Sequence, residues 1–329
     1  MELPAALRQA VDRMLDGTAL SDLRRAADIL SRRYRAEVRD GRLHLSDALA
    51  VKAYLATRLP ATYTAIRESL GAVAEARPDF APVTLLDLGA GPGSALWAAA
   101  DCWESLDAAT LVETGAAIRD AGERLARDAP LGAIRWRAGD VLDEAADLAP
   151  ADLVTLAYVL DELPPGSLAA LTERAWRLTA DTLVVVEPGT PAGWRRILTV
   201  RERLLAAGAH LAAPCPHGLA CPLVEPDWCH FAGRVARSRI HRLAKDADVP
   251  WEDEKYIYVA ASRQPVAPTV APLGARVIAP PWTGSGQVRL KLCRADGTAG
   301  QELLTKRQGQ SFKQARRLDW GDAIWSTAG

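Results

Sequence analysis

The stretch VTLLDLGAGPGSALWAAAD, residues 83–101, decides the fold. Its first six residues form a short apolar run, which predicts a buried strand over 83–88. Glycines stop the run, and an alanine-rich helical pattern follows over 94–106. Asp87, Gly89, Gly91 and Gly93 stand in the order D-x-G-x-G-x-G. Glycines there let the backbone turn sharply and lie close to a ligand, where a Cβ would collide. The start of the helix adds free N–H groups and partial positive charge. A dinucleotide fingerprint would read G-x-G-x-x-G, with its pyrophosphate over that helix. Here the third glycine comes one residue early and Pro92 removes an N–H from the loop. Both changes weaken a phosphate cradle.

Working outward, further strands are expected at ATLVE (109–113), IRWRAG (134–139), ADLVTLAY (151–158) and DTLVVVE (181–187). Helical patterns at 115–128, 167–179 and 193–207 separate or follow them. Such alternation predicts an α/β fold with a parallel sheet covered on both faces. In that setting the glycine loop resembles motif I of the Rossmann-like S-adenosylmethionine-dependent methyltransferases. The resemblance implies that the loop wraps the amino-acid part of that cofactor. Glu113 ends the second strand twenty residues after Gly93, where a carboxylate can accept two hydrogen bonds from ribose hydroxyls. Asp140 ends the third strand, and the resemblance puts it at the adenine amino group.

After the fourth strand, AYVLDEL carries Tyr158, Asp161 and Glu162, where this superfamily keeps acceptor-facing residues. These three are the candidate catalytic residues, and Tyr158 also counts with the cofactor set. The competing reading is that Asp161 and Glu162 cap the next helix. No cysteine lies near the ends of strands four or five, as a C5-pyrimidine methylase would need. Residues 160–165 read LDELPP, so the Asn/Asp-Pro-Pro-aromatic signature of exocyclic-amine methylases is absent. Methyl transfer draws mainly on in-line positioning. Activity is thus neither demanded nor excluded by these residues.

The N-terminal segment, residues 1–79, reads as helices. Leu7, Val11 and Leu15 repeat every four residues, and Ser21 and Ser46 stand where N-caps belong. Composition is ordinary for a globular chain of 329 residues, 49% hydrophobic and 25% charged. No apolar run approaches the ~18 residues of a membrane span. The opening MELPAALRQAVDRMLDG lacks an apolar h-region, so a bacterial-type cytoplasmic location with no targeting segment is expected. The net charge of −1 hides an asymmetry: residues 81–194 carry −11 and residues 266–329 carry +5. A basic tail behind an acidic middle hints at a polyanionic partner for the tail.

HRLAKDADVPWEDEKYIYVAASR (241–263) reads as two strands with a polar connection. QPVAPTVAPLGARVIAPPWTGSG (264–286) is rich in Pro and Gly and reads as a linker and domain boundary. Three divisions follow. Residues 1–79 form a helical region. Residues 80–265 form a Rossmann-like domain with a cysteine-rich segment at 210–242. Residues 266–329 form a small basic β-rich domain.

APCPHGLACPLVEPDWCHF (213–231) holds three of the chain's five cysteines, Cys215, Cys221 and Cys229. Clustered cysteines in a reducing compartment favour metal over disulfides. Three thiolates are too few for a closed site, so a fourth ligand is required. Cys102, beside Trp103 and a run of alanines, suits helix packing better. In QVRLKLC, Val288, Leu290 and Leu292 share one strand face, while Arg289, Lys291 and Cys293 share the other. Cys293 thus avoids the apolar face and completes C-x5-C-x7-C-x63-C, with His217 and His230 in reserve. Zinc usually takes pairs spaced C-x2–4-C, which are absent. Wider spacing with Cys-Pro steps suits a 4Fe–4S cluster better, with zinc the alternative.

CPHGLACPL and DWCHFAGRVARS, behind a methyltransferase core and ahead of KLC, resemble the methyltransferase-like seventeen family over about residues 80–329. Its mitochondrial members are small-ribosomal-subunit assembly factors. The resemblance implies a 4Fe–4S cluster on Cys215, Cys221, Cys229 and Cys293, S-adenosylmethionine binding, and association with the rRNA of the small ribosomal subunit. It implies neither a membrane nor an oligomer. Arg234, Arg237, Arg289, Lys291, Lys306, Arg307, Lys313, Arg316 and Arg317 are the candidate RNA contacts. Three roles compete: an RNA methyltransferase, an assembly factor that uses cofactor and cluster structurally, and a zinc-containing small-molecule methyltransferase.

Overall fold

The strand that opens the quoted stretch, β1 (Thr84–Leu88), sits in the middle of an eight-stranded sheet. The computed structural model describes residues 1–35, 45, 47–143, 147–164, 166–266 and 273–325. From β1 the chain passes through α5 (Ser94–Cys102), β2 (Ala108–Glu113), α6 (Ala116–Ala126) and β3 (Ala133–Ala138). It returns on the other side through β4 (Ala151–Ala157), α7 (Ser167–Arg177), β5 (Thr179–Pro188) and α8 (Pro191–Ala206). These five strands pair in parallel, in the order β3-β2-β1-β4-β5. The order reverses between β1 and β4, and a crevice opens above the carboxyl ends of strands at such a reversal. The α/β Rossmann-like reading therefore holds.

Strands β6 (His210–Ala213) and β7 (Phe231–Ala236) flank the cysteine segment, and both pair antiparallel with β8 (Trp251–Ser262). β8 in turn lies antiparallel to β5. The expected pair of strands over 241–263 is corrected. Residues Arg239–Lys245 form helix α9, and only 251–262 is a strand. Ser238 explains it: its side chain accepts from the His241 N–H, which caps a helix, and His241 and Ala244 are buried beneath.

Four N-terminal helices precede the sheet: α1 (Ala5–Leu15), α2 (Leu20–Arg35), α3 (Ala48–Thr57) and α4 (Leu59–Ala76). Ser21 lies inside α2 and is not its cap, because that helix starts one residue earlier. Ser46 lies outside the described residues. Asp47 caps α3, accepting from the N–H groups of Leu49 and Ala50 at 2.9 Å each. One hydrophobic cluster runs without a break from Leu7 to Ala261, so the helices share the core of the sheet.

A second sheet is antiparallel, formed by β9 (Leu273–Val277), β10 (Trp282–Gly284), β11 (Gln287–Arg294), β12 (Ala299–Thr305) and β13 (Ala323–Trp325). A short helix, α10 (Gln310–Ala315), packs Phe312 and Ala315 against Val288, Leu290 and Leu292. The stretch 264–286, expected to be linker and turn, contains β9 and β10; residues 267–272 of it lie outside the described residues. The β-branched and aliphatic residues of ARVI complete a ladder that the surrounding prolines conceal in the sequence.

Candidate functional site

A cleft of about 890 Å³ opens over the carboxyl ends of β1 and β4. Asp87, Gly89, Gly91, Glu113, Asp140 and Tyr158 line it, together with Asp161 and Glu162. Gly93 does not. It caps α5 with φ +86° and packs near Leu111 and Trp136. Gly89 has φ +77°, and a Cβ there would collide with Val159. Gly91 has φ +54° with nothing within 4 Å of a built Cβ, so its bare face borders open space in the cleft.

Glu113 does more than the sequence suggested. Its carboxylate accepts from the Gly91 N–H at 2.8 Å and from the Gly115 N–H at 2.6 Å. It thereby ties the glycine loop to the first turn of α6. Each oxygen keeps a second lone pair for a ligand hydroxyl. Asp140 accepts from the Leu142 N–H at 2.8 Å. Asp87 is buried, and its Oδ1 accepts from the Thr155 hydroxyl at 2.6 Å. Its Oδ2 is buried without a hydrogen-bond partner, as is the Ser94 hydroxyl at the start of α5. Both residues line the cleft. Ser94 was missed by sequence reasoning because a serine opening a helix carries no distinguishing spacing.

Burial, opposed by the Thr155 hydrogen bond, pushes the Asp87 carboxyl up to about 7. Glu162 also reaches about 7, through burial first and then the charges of Asp161 and Glu113. Neither Asp161 nor Glu162 is the cap of α7, whose N-cap is Gly166 with no side-chain hydrogen bond. Tyr158 takes the left-handed φ of +59°, and its hydroxyl donates to Glu254 at 3.2 Å. Arg58 of the α3–α4 junction binds the same carboxylate oxygen at 3.1 Å. Tyr54, Arg58, Thr62 and Ile66 give the cleft a wall from the N-terminal helices, which the sequence did not disclose.

The four cysteines converge from two sheets. Burial raises the Cys229 thiol well above its ordinary value, and Cys215, Cys221 and Cys293 add to the push. Cys293 is pushed up to about 12 by burial and then by Cys215 and Cys221. All four thus lie within one another's electrostatic reach. Among the described residues, however, no group of three or more His, Cys, Asp or Glu side chains is arranged to hold a metal ion. His217 contacts Cys293, with Nε2 3.4 Å from Sγ. His230 instead stacks on Trp228 and meets Trp320 edge-on. Cys102 ends α5 with its sulfur 4.0 Å from the Arg67 carbonyl, apart from the others, as expected of a packing residue.

Two buried arginines brace the cysteine segment, and sequence reasoning missed both. Arg276 on β9 donates to the carbonyls of Pro214 at 3.0 Å and Gly321 at 2.9 Å. Arg201 on α8 donates to the carbonyls of His217 and Leu219 at 2.8 and 2.7 Å. An arginine in an apolar strand or on a charged helix has no pattern that announces such a role. Trp228 links the segment to the cleft rim by donating to the Gly189 carbonyl at 3.1 Å.

The basic candidates divide. Arg237 is held by Glu252 at 2.8 Å in a half-buried cluster with His241 and Lys245. Against the upward push of burial, a hydrogen bond with His241 and the cations Lys245 and Arg237 hold Glu252 well below the usual carboxylate range. Lys291 pairs with Asp227 at 2.5 Å, across from the tail to the cysteine segment. Arg237 and Lys291 are therefore internal braces, not presented to a partner. Arg234 is exposed but paired with Asp253 at 3.0 Å. Arg289, Lys306, Arg307, Lys313, Arg316 and Arg317 are exposed on the tail.

This is a Rossmann-like α/β core with an acidic cleft, joined to a small antiparallel sheet rich in exposed cations. The chain belongs to the Rsm22 family, described as mitochondrial small ribosomal subunit Rsm22, whose pattern matches residues 48–325. It is 28% identical over 287 residues to the human ribosome assembly protein METTL17, mitochondrial, covering 82% of this chain and 61% of that one. It is 26% identical over 195 residues to Rsm22-cox11 tandem protein 2, mitochondrial, of Schizosaccharomyces pombe, covering 45% of this chain and 25% of that one. The chain thus spans less than two thirds of these relatives' length. The resemblance to the methyltransferase-like seventeen family stands.

Solved structures are more distant. An O-methyltransferase family protein from Burkholderia thailandensis has TM-score 0.46 and 15% identity, over 76% of this chain and 73% of that one. Magnesium protoporphyrin IX methyltransferase from Synechocystis PCC 6803, with bound SAM, has TM-score 0.41 and 14% identity, over 75% of this chain and all of that one. Likeness so remote bears on neither activity nor substrate.

The expected bacterial-type cytoplasmic location is overturned, because the family and these relatives are mitochondrial. That expectation rested on the lack of an apolar leader. Apolarity marks secretory leaders, whereas mitochondrial ones are amphipathic, so the criterion did not bear on the compartment. Among the described residues, no helix is long and apolar enough to cross a membrane.

Proposed function

We propose that this chain binds S-adenosylmethionine in the cleft and acts on or with the rRNA of the small ribosomal subunit during its assembly. The observation that carries the reading is the cleft floor, where Asp87 Oδ2 and Ser94 Oγ are buried without partners beside the bare face of Gly91. Such atoms cost free energy unless a ligand satisfies them. The cofactor fits them: it carries a cationic sulfonium and an ammonium for acidic groups, and a carboxylate for a donor. Asp87 and Ser94 would hold its amino-acid part, Glu113 its ribose and Asp140 its adenine. When bound, the cofactor supplies an electrophilic methyl group. The chain's residues orient it and, through α3 and α4, wall it from water.

We propose further that Cys215, Cys221, Cys229 and Cys293 hold a 4Fe–4S cluster, and that residues 266–329 form a unit stapled to the core by it. The all-sulfur donor set supports iron–sulfur chemistry. The buried cations Arg201 and Arg276 support an anionic group, since both pull neighbouring thiols toward the charged form. The exposed tail cations would meet rRNA phosphates.

Anaerobic purification followed by metal and sulfide analysis tests the cluster. Equal iron and sulfide without zinc is expected; zinc without iron overturns it. Calorimetry with Gly91→Asp tests the cleft. The added carboxylate should abolish cofactor binding and leave subunit binding intact. Unchanged cofactor affinity would remove the cleft assignment. Tritium passing from labelled cofactor to immature small subunits marks an enzyme. No transfer, with the cluster preserved, marks an assembly factor that uses the cofactor structurally.

A further inference from the structure

The second sheet packs one face, Val288, Leu290 and Leu292, against Phe312 and Ala315, and turns Arg289, Lys291 and Cys293 to the other. On that outer face Cys293 meets His217 and Lys291 meets Asp227, so the cysteine segment shields this end. Beyond it the shielding stops. Trp282, Arg289 and Leu303 stand side by side across three strands, because Trp282 pairs with Arg289 and Arg289 with Leu303. Trp282 is 51% exposed and Leu303 48%.

A single exposed tryptophan is ordinary. Here the surroundings are built for it. The Arg289 guanidinium lies over the indole, 5.4 Å from the ring centroid. Gly284 leaves room for the ring, since a Cβ there would stand 2.5 Å from the indole edge. An indole with a guanidinium stacked on it forms a surface that suits an unpaired base with its phosphate. A duplex hides its base faces and would meet the guanidinium only.

We propose that the Trp282–Arg289–Leu303 row is a stacking platform for single-stranded RNA, adjoining the cysteine site. The inference rests on the RNA-associated reading above and names the form of RNA that the tail takes. A base stacks on the Trp282 indole, and Arg289 meets its phosphate.

The test uses the full chain, a labelled twelve-nucleotide single-stranded RNA and a duplex of the same length. Trp282→Ala should weaken single-strand binding by roughly tenfold or more, the range seen for loss of one stacked base. Duplex affinity should not change. Trp282→Phe should recover most of the loss. Arg289→Ala should also reduce the salt dependence by about 0.7 in slope, which Trp282→Ala should not. Wild-type affinity for single strands in Trp282→Ala, or equal loss for both RNAs, overturns the platform while leaving RNA association standing. Failure of the wild-type chain to bind either RNA overturns both.

Discussion

Asp87 and Glu162 show what burial does at the level of one side chain. Ordinary carboxyls ionise near 4. Both of these lie near 7 in the cleft. The folded, unliganded protein therefore holds protons that the unfolded chain has released. Its stability should fall as pH rises from about 4 through 7. A cationic ligand reverses the preference by favouring the ionised carboxylates. Affinity for S-adenosylmethionine should rise about tenfold between pH 6 and 8 for one such group. S-adenosylhomocysteine lacks the sulfonium charge and should respond less. Isothermal titration at the two pH values decides it, and parallel profiles for the two ligands would refute the electrostatic account. Asp87, Gly89, Gly91 and Glu113 were legible because glycine spacing and strand-end acids leave a mark in the sequence. Ser94, Arg201 and Arg276 were not. Their roles come from what the fold sets beside them, and no local pattern records that.

Among the elements, β1, β2, β4 and β5 were legible as short, mostly apolar runs, whereas β3 alternates Ile134 and Trp136 with two exposed arginines. Helix α9 was not, since only His241 and Ala244 are fully buried and seven residues show too little periodicity. Element ends offer direct tests. Asp47 satisfies two N–H groups at the start of α3, whose Tyr54 and Thr57 face the cleft. Asp47→Ala should cost about 1 kcal/mol in urea unfolding; an unchanged midpoint would deny the cap. Arg276 matters more, because β9 carries it into contact with Pro214 and Gly321. Arg276→Leu strands two carbonyls and should cost about 3 kcal/mol. Arg276→Lys should recover only part, since an ammonium lacks the planar fork that reaches both. Full recovery by lysine would show that charge alone suffices there.

For the molecule as a whole, the acidic middle and basic tail read from the sequence become two surfaces, which the proposed function matches to different partners, a cationic cofactor and a polyanion. What the sequence could not show is how the two sheets are held. Ties that cross between them include Arg276 to Pro214, Lys291 to Asp227, and the approach of Cys293 to His217 and the cysteines of 215–229. Only the last would draw on the proposed cluster. Binding energy at a site shared by two units adds to the stability of their joint fold. Removing iron with a chelator should therefore lower the melting midpoint of the wild-type chain. Cys293→Ser should begin lower and lose less on chelation, because the tail no longer shares the site. Lys291→Ala should also lower the midpoint, since it releases Asp227 of the cysteine segment from the tail. Calorimetry on the three chains, each before and after chelation, measures all of this. A Cys293→Ser protein that melts like wild type and keeps the full chelation loss would place the fourth ligand elsewhere, with His217, 3.4 Å from that sulfur, the first residue to substitute next.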